Sequence, residues 1–180
     1  MNIIFLDVDG PLTYSDYDNK ETENIDPEKV KLLKEICDKG NASVIIISSW
    51  RGSETYTPKI YHTLRDVLNK YNVPVLGDAP YLPYELEDNQ NISETIALTT
   101  LEELPHYKFK PGTGRAAEVH KYIQDNNVDN FVILDDEDFY WSDYNYEKHW
   151  IQPTWFGNGG LKPEHVTKAI NILKGNLEYE

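Results

Sequence analysis

The strongest constraint on the fold is the run Ile3-Ile4-Phe5-Leu6 and its continuation, Asp7-Val8-Asp9-Gly10-Pro11. Four apolar residues without a polar break read as a strand buried on both faces, and the Asp, Gly and Pro that follow read as a sharp turn. The strand therefore delivers two carboxylates to its carboxyl end. On a continuing strand Asp7 and Asp9 would point to opposite faces, because side chains alternate. For both to serve one site the backbone has to leave extended geometry at Asp7, which Gly10 permits because glycine reaches positive φ without a steric penalty.

The same pattern recurs twice. Ala42–Ser49 (ASVIIISS) is a second β-branched run that ends in small polar residues, and Asn130–Leu134 (NFVIL) is a third that runs straight into Asp135-Asp136. Helical signals separate these runs. Asp26 is a good N-cap and Pro27 a good first helical residue, with Val30, Leu33, Ile36 and Cys37 on one face and Gly40 as the stop. Thr57-Pro58 opens a second helix carrying Ile60, Leu64, Val67, Leu68 and Tyr71 at helical spacing. Further helices are expected over Thr113–Asn126 and Pro163–Lys174, the latter with Val166, Ala169, Ile170 and Leu173 on one face. Shorter strands are expected at Val73–Leu76 and Trp150–Trp155.

Alternating strands and helices predict an α/β fold, a three-layer Rossmann-like parallel sheet. Such sheets bind ligands beyond the carboxyl ends of their strands. The polar residues found there are Asp7 and Asp9, Ser48 and Ser49, and Asp135 and Asp136.

A chain of 180 residues fits one domain, 1–180, with a single core. Two stretches break the alternation. Residues 13–25 are polar and aperiodic and read as an exposed loop; residues 77–110 begin rich in proline, contain Ile96-Ala97-Leu98 as a short strand candidate, and read as an insertion. Together they would act as a minimal cap or lid. The lone Cys37 can form no internal disulfide and sits on an apolar helix face, where it reads as core. The first apolar run is cut by Asp7 before it could be a signal peptide or a membrane span, so a cytoplasmic protein is expected.

The net charge of -14, from 31 acidic against 17 basic residues, argues against a grip on long duplex nucleic acid. A small phosphorylated ligand met by a local cation stays open. The five histidines do not cluster at zinc spacing, and Gly157–Gly160 lacks the order of a dinucleotide-binding loop and reads as a turn.

Two acidic strand ends, one hydroxyl strand end and a nearby cation are what phosphoryl transfer through an aspartyl phosphate needs. A carboxylate at Asp7 can attack phosphorus and ligate magnesium, which prefers oxygen donors. Asp9 can move a proton to the leaving oxygen and from the attacking water. Asp135 and Asp136 would complete a metal shell, and the metal would make the clustered negative charge tolerable. A serine hydroxyl and a basic side chain would hold the phosphate oxygens.

The residues Asp7-Val8-Asp9-Gly10, Ile45-Ile46-Ile47-Ser48 and Asp135-Asp136, in this order at strand ends, resemble three motifs of the haloacid dehalogenase (HAD) superfamily of phosphatases. That resemblance covers nearly the whole chain. It implies Asp7 as the nucleophile, Asp9 as the general acid/base, Ser48 as the phosphoryl-binding hydroxyl with Ser49 as its competitor, and Mg2+ held by Asp7, Asp9, Asp135 and Asp136. The remaining motif, a lysine or arginine near the start of the helix before the last acidic strand, fits Arg115, with Lys110 and Lys108 as rivals. Ser48-Ser49-Trp50-Arg51 and Gly159-Gly160-Leu161-Lys162-Pro163-Glu164-His165 are also similar to a small HAD branch of nucleic-acid-repair and phage-type proteins near polynucleotide 3'-phosphatases. Two positions depart from the family pattern: Pro11 stands where threonine or valine is usual, and no lysine directly precedes Asp135.

The expectation is a magnesium-dependent phosphohydrolase acting on a small phosphate ester, with a nucleotide or nucleic-acid end favoured over a sugar phosphate. The alternative is a nucleotide- or phosphate-sequestering module with little turnover. Arg51 reads as an ordinary exposed arginine or a substrate contact, and Asp138 as solvated or as a support behind the metal ligands.

Overall fold

The computed structural model describes residues 1–52, 58–82, 84–85 and 110–177. Its centre is a sheet of five parallel strands: β1 (Asn2–Leu6), β2 (Ala42–Ile46), β3 (Val75–Asp78), β4 (Asn130–Leu134) and β5 (Trp150–Ile151), in the spatial order β3-β2-β1-β4-β5. The helices among the described residues are α1 (Pro27–Gly40), α2 (Pro58–Lys70), α3 (Gly114–Asp125) and α4 (Pro163–Leu173).

The unbroken apolar strands are explained by packing on both faces. Ile4 and Leu6 of β1 join Val44, Ile46, Val132 and Leu134 in a core completed by α1, α2 and α4. Ile3 and Phe5 alternate to the other face, where Ile45, Phe131 and Ile133 meet Ala116 and Val119 of α3 and the fully buried Trp141. From β1 the chain steps outward through β2 to β3, then crosses back to β4 on the other side of β1. That reversal makes the gap between β1 and β4 a topological switch point, where the loops leaving the two strands diverge and a crevice opens.

Helix α1 starts as expected, with the Asp26 carboxylate accepting from the Glu28 N–H and Pro27 in the first turn. Cys37 is buried, and burial pushes its thiol up to about 12. Three boundaries differ from expectation. Strand β3 lies two residues later than Val73–Leu76, because the Pro74 carbonyl accepts the Val44 N–H and the following residues continue the ladder to Asp78, which pairs with Arg65. Strand β5 stops at Ile151 rather than Trp155, and Pro153, which has no N–H to offer a ladder, lies just beyond. The segment 13–25 is not simply an exposed loop: Thr13 and Ile25 are buried, Ile25 in the core, and the Asp26 N–H donates to the Leu12 carbonyl at 2.9 Å. Isolated apolar anchors carry no period, which is why a polar stretch concealed them.

Of the expected insertion 77–110, residues 83 and 86–109 lie outside the described residues, and with them the Ile96-Ala97-Leu98 strand candidate and Lys108. No described helix is long and apolar enough to cross a membrane.

Candidate active site

The site follows from register. Leu6 pairs with Ile46 on one side and with Leu134 on the other, so β1, β2 and β4 end flush. The Asp7 N–H donates to the Leu134 carbonyl at 2.8 Å and the Ile47 N–H to the Leu6 carbonyl at 2.9 Å, which extends the ladder one step and lines up Asp7, Ser48 and Asp135 just past it. Beyond Asp7 the chain turns. The Val8 carbonyl accepts from the N–H groups of Leu12 and Thr13, and Gly10 takes φ +85°. Pro11 is compatible with this turn: its ring is buried, no N–H is required of it, and its carbonyl accepts from Leu161 at 2.9 Å.

Three carboxylates converge at the switch point. One oxygen each of Asp7, Asp135 and Asp136 lie within 4.8 Å of one another. Asp7 and Asp135 are buried and Asp136 is half-buried. Arg115, in the first turn of α3, enters between them: its Nη1 is 2.8 Å from Asp135 Oδ2 and 3.4 Å from Asp7 Oδ1. Burial alone would lower the guanidinium's pKa, yet Asp7 and Asp135 hold it well above the usual value, so the charge is locked in. Its Cζ also lies 4.2 Å from the centre of the Phe139 ring. A cation at a helix N-terminus opposes the helix dipole, and here the two aspartates outweigh that cost.

The carboxylates do not share one electrostatic environment. Burial raises Asp135, with Arg115 opposing. Asp136 is pushed up to about 8 by burial and by the charges of Asp135, Asp7 and Glu137. Asp9 stands apart from the cluster. Its Oδ1 accepts from the Thr13 hydroxyl at 2.7 Å and its Oδ2 from the Trp50 indole N–H at 2.9 Å. Burial, then the Asp7 charge, raise its carboxyl above the ordinary value against those two hydrogen bonds and Arg115.

Among the residues singled out from sequence, the structure thus brings together Asp7, Arg115, Asp135 and Asp136, with Asp9 on the adjoining turn. Asp9 was expected beside them as a metal ligand; its two oxygens accept from Thr13 and Trp50, and it lies outside the three-aspartate cluster. Ser48 is fully buried at the end of β2, its Oγ accepting from the Trp50 N–H at 3.3 Å, whereas Ser49 is exposed on the short 3-10 turn Ser49–Gly52. The Lys110 ammonium pairs with Glu85 at 3.1 Å on the surface rather than with the aspartates.

Arg51 is neither exposed nor turned to the cluster. It is buried, donates to the Ile47 carbonyl at 2.8 Å and pairs with the buried Glu118 of α3. Asp138 is exposed and accepts from the Tyr140 N–H at 2.8 Å, closing a turn. Sequence reasoning missed Thr13, Phe139 and Tyr84, whose phenol burial raises and whose hydrogen bond with Arg115 opposes that rise. Each comes from an irregular segment without a period. Trp50 was within reach, since it sits inside the quoted Ser48–Arg51 phrase.

Three convergent carboxylates, one of them pushed up to about 8 by burial and by its charged neighbours, form an all-oxygen donor set that suits a hard divalent cation. Arg115 sets one positive charge beside Asp7 and Asp135, and a divalent cation would neutralise the rest when all three carboxylates are ionised. The residues present therefore fit a metal of this class.

A model of the family described as the HAD domain in Swiss Army Knife RNA repair proteins matches residues 3–166. Comparison with curated proteins found no match, and comparison with solved structures found none either.

Proposed function

Because the chain belongs to the family of HAD domains in Swiss Army Knife RNA repair proteins, we propose that it is a magnesium-dependent phosphohydrolase that removes a terminal phosphate from an RNA end through a phosphorylated Asp7. The observation that carries this reading is the pair of unlike carboxylates two residues apart. Asp7 lies in the buried cluster beside Arg115, and Asp9 is held outside it with its carboxyl raised by burial and by Asp7. Titratable neighbours pushed into different environments are how a nucleophile and a proton donor are told apart.

In the first step an Asp7 oxygen attacks phosphorus while Asp9 gives its proton to the departing ribose oxygen. The ester P–O bond breaks, leaving phospho-Asp7 and a free hydroxyl. In the second, the Asp9 carboxylate takes a proton from a water that attacks the same phosphorus. The acyl phosphate P–O bond breaks, inorganic phosphate leaves, and both aspartates return to their starting forms. Asp7, Asp135 and Asp136 would hold Mg2+, which when bound supplies charge stabilisation to the phosphoryl oxygens. Arg115 fixes Asp7 and Asp135 and stays protonated throughout. The Ser48 hydroxyl, accepting from Trp50, keeps its own proton available for a phosphoryl oxygen.

An RNA end suits the electrostatics better than a long duplex does. The formal charge of -14 repels a polyanion as a whole, while Arg115 places a fixed cation at the one point where a terminal phosphate would sit. Phosphate release with Mg2+ over 3'- and 5'-phosphorylated RNA oligonucleotides, nucleoside monophosphates and sugar phosphates tests the proposal. Multiple turnover on an RNA end, lost in Asp7→Asn and in EDTA, is expected. Binding without turnover, or full activity in Asp7→Asn, overturns it.

A further inference from the structure

We propose that Trp50 is the positioning residue for the proton donor Asp9, an inference that rests on the phosphohydrolase reading above. Asp9 lies on a turn beyond the strand, where nothing in the ladder fixes its side chain. Its two oxygens receive one donor each, and the donors differ in kind. Thr13 belongs to the same turn, bonded through its carbonyl to the Gly10 N–H at 3.1 Å, so it moves with Asp9, and its hydroxyl can rotate. Trp50 comes from the 3-10 turn that follows β2, a different strand, and reaches Asp9 Oδ2 at 2.9 Å through an N–H that is rigid within its ring.

An indole N–H donates and never accepts. The proton that Asp9 carries is therefore favoured on Oδ1, beside the adaptable Thr13 hydroxyl, and Oδ2 is pinned as the acceptor. Trp50 also donates its backbone N–H to Ser48 Oγ at 3.3 Å. One residue thus sets the direction of the acid and of the strand-end hydroxyl together. Because β1 and β2 end flush, the two turns that carry Asp9 and Trp50 start from a common level of the sheet.

The test uses leaving-group dependence, which a purely structural role would not move. Expulsion of p-nitrophenolate needs little proton transfer, whereas expulsion of phenolate or a ribose alkoxide depends on it. In Trp50→Phe, kcat/KM, which reports the leaving-group step and not the shared hydrolysis of phospho-Asp7, should fall on phenyl phosphate and on a 3'-phosphorylated RNA oligonucleotide by about tenfold or more, part of the roughly 10²- to 10⁴-fold that a placed acid supplies. On p-nitrophenyl phosphate the loss should stay within about threefold, the scale of a weak neutral hydrogen bond. In an Asp9→Asn background the same substitution should cause no further loss on phenyl phosphate, because its target is gone.

Equal losses on all three substrates, or additive losses in the double variant, overturn the proposal. Replacing Trp50 with benzothienylalanine, which puts sulfur in place of N–H and keeps the ring shape, gives the same comparison if the phenylalanine variant does not fold. Absence of turnover in the wild-type protein on every substrate would instead remove the phosphohydrolase reading itself, so the two failures are distinguishable.

Discussion

A β-carbon on Gly10 would stand 2.3 Å from the Cβ of Asp136, so the turn that leaves β1 closes directly onto the acidic end of β4. Glycine is needed there twice over, for its φ of +85° and for the missing side chain. Gly10→Ala should lose about 1–2 kcal/mol from the backbone conformation alone, and must also displace Asp136 from the cluster. Urea denaturation in EDTA and titration with Mg2+ should show lower stability and weakened cation affinity together. Gly112, at φ +80° with nothing within 4 Å, is the control: Gly112→Ala should show the backbone penalty and unchanged cation affinity.

Removing the Arg115 charge should unbalance the site. Arg115→Met leaves the buried Asp7 and Asp135 without their shared cation, a change that costs about 3–5 kcal/mol when a buried pair is broken. Equilibrium unfolding without metal should show that loss, and saturating Mg2+ should recover part of it by restoring positive charge. Arg115→Lys should fall between, because an ammonium keeps the charge but not the fixed planar donor geometry of the guanidinium toward Asp135. A neutral effect of Arg115→Met in EDTA would contradict the proposed charge balance.

Much of this site was legible in the residues because its parts lie at the ends of strongly patterned strands. Asp7, Ser48 and Asp135 each follow an apolar run, and parallel pairing in flush register brings such ends together. What lay beyond reach was side-chain direction. Arg51 and Lys110 carry the same charge as Arg115, yet Arg51 is turned to Glu118 and Lys110 to Glu85. Nothing in local sequence distinguishes the three, since the partner of each comes from a distant segment. The same holds for Asp9, whose metal role was implied by the family resemblance, while its Oδ2 accepts from Trp50, 41 residues away.

The three-aspartate cluster predicts a pH dependence of stability with a definite sign. Asp136 is raised from 3.8 to about 8, so between those values the folded protein holds a proton that the unfolded chain has released. Stability of the metal-free protein should therefore fall as pH rises through this window and level off above about 8. Asp136→Asn should flatten the slope. Protons and Mg2+ compete for the same oxygens, so the rise in Tm on adding Mg2+ should be larger at pH 8.5 than at pH 6. A metal-free Tm that climbs from pH 5 to pH 8 would contradict the cluster's electrostatics.

The buried pair of Arg51 and Glu118 should behave as one unit. Arg51 is tied to the Ile47 carbonyl and to Glu118 Oε2, and its Cζ lies 4.3 Å from the Tyr81 ring centre. Glu118 Oε1 accepts from the Leu82 N–H at 3.0 Å. The pair thereby joins the turn after β2, helix α3 and the chain leaving β3. Glu118→Leu strands a buried guanidinium and an unsatisfied Leu82 N–H, and should cost about 3–5 kcal/mol in chemical denaturation. Arg51→Met strands the carboxylate and should cost a similar amount. In the double variant Arg51→Met/Glu118→Leu neither charge is left uncompensated, so the combined loss should be smaller than the sum of the single losses, by more than about 1 kcal/mol of coupling. Additive losses would mean that the two side chains contribute independently, the connection between α3 and the strand ends then resting on Arg115 with Asp7 and Asp135 and on the apolar packing of Ala116 and Val119.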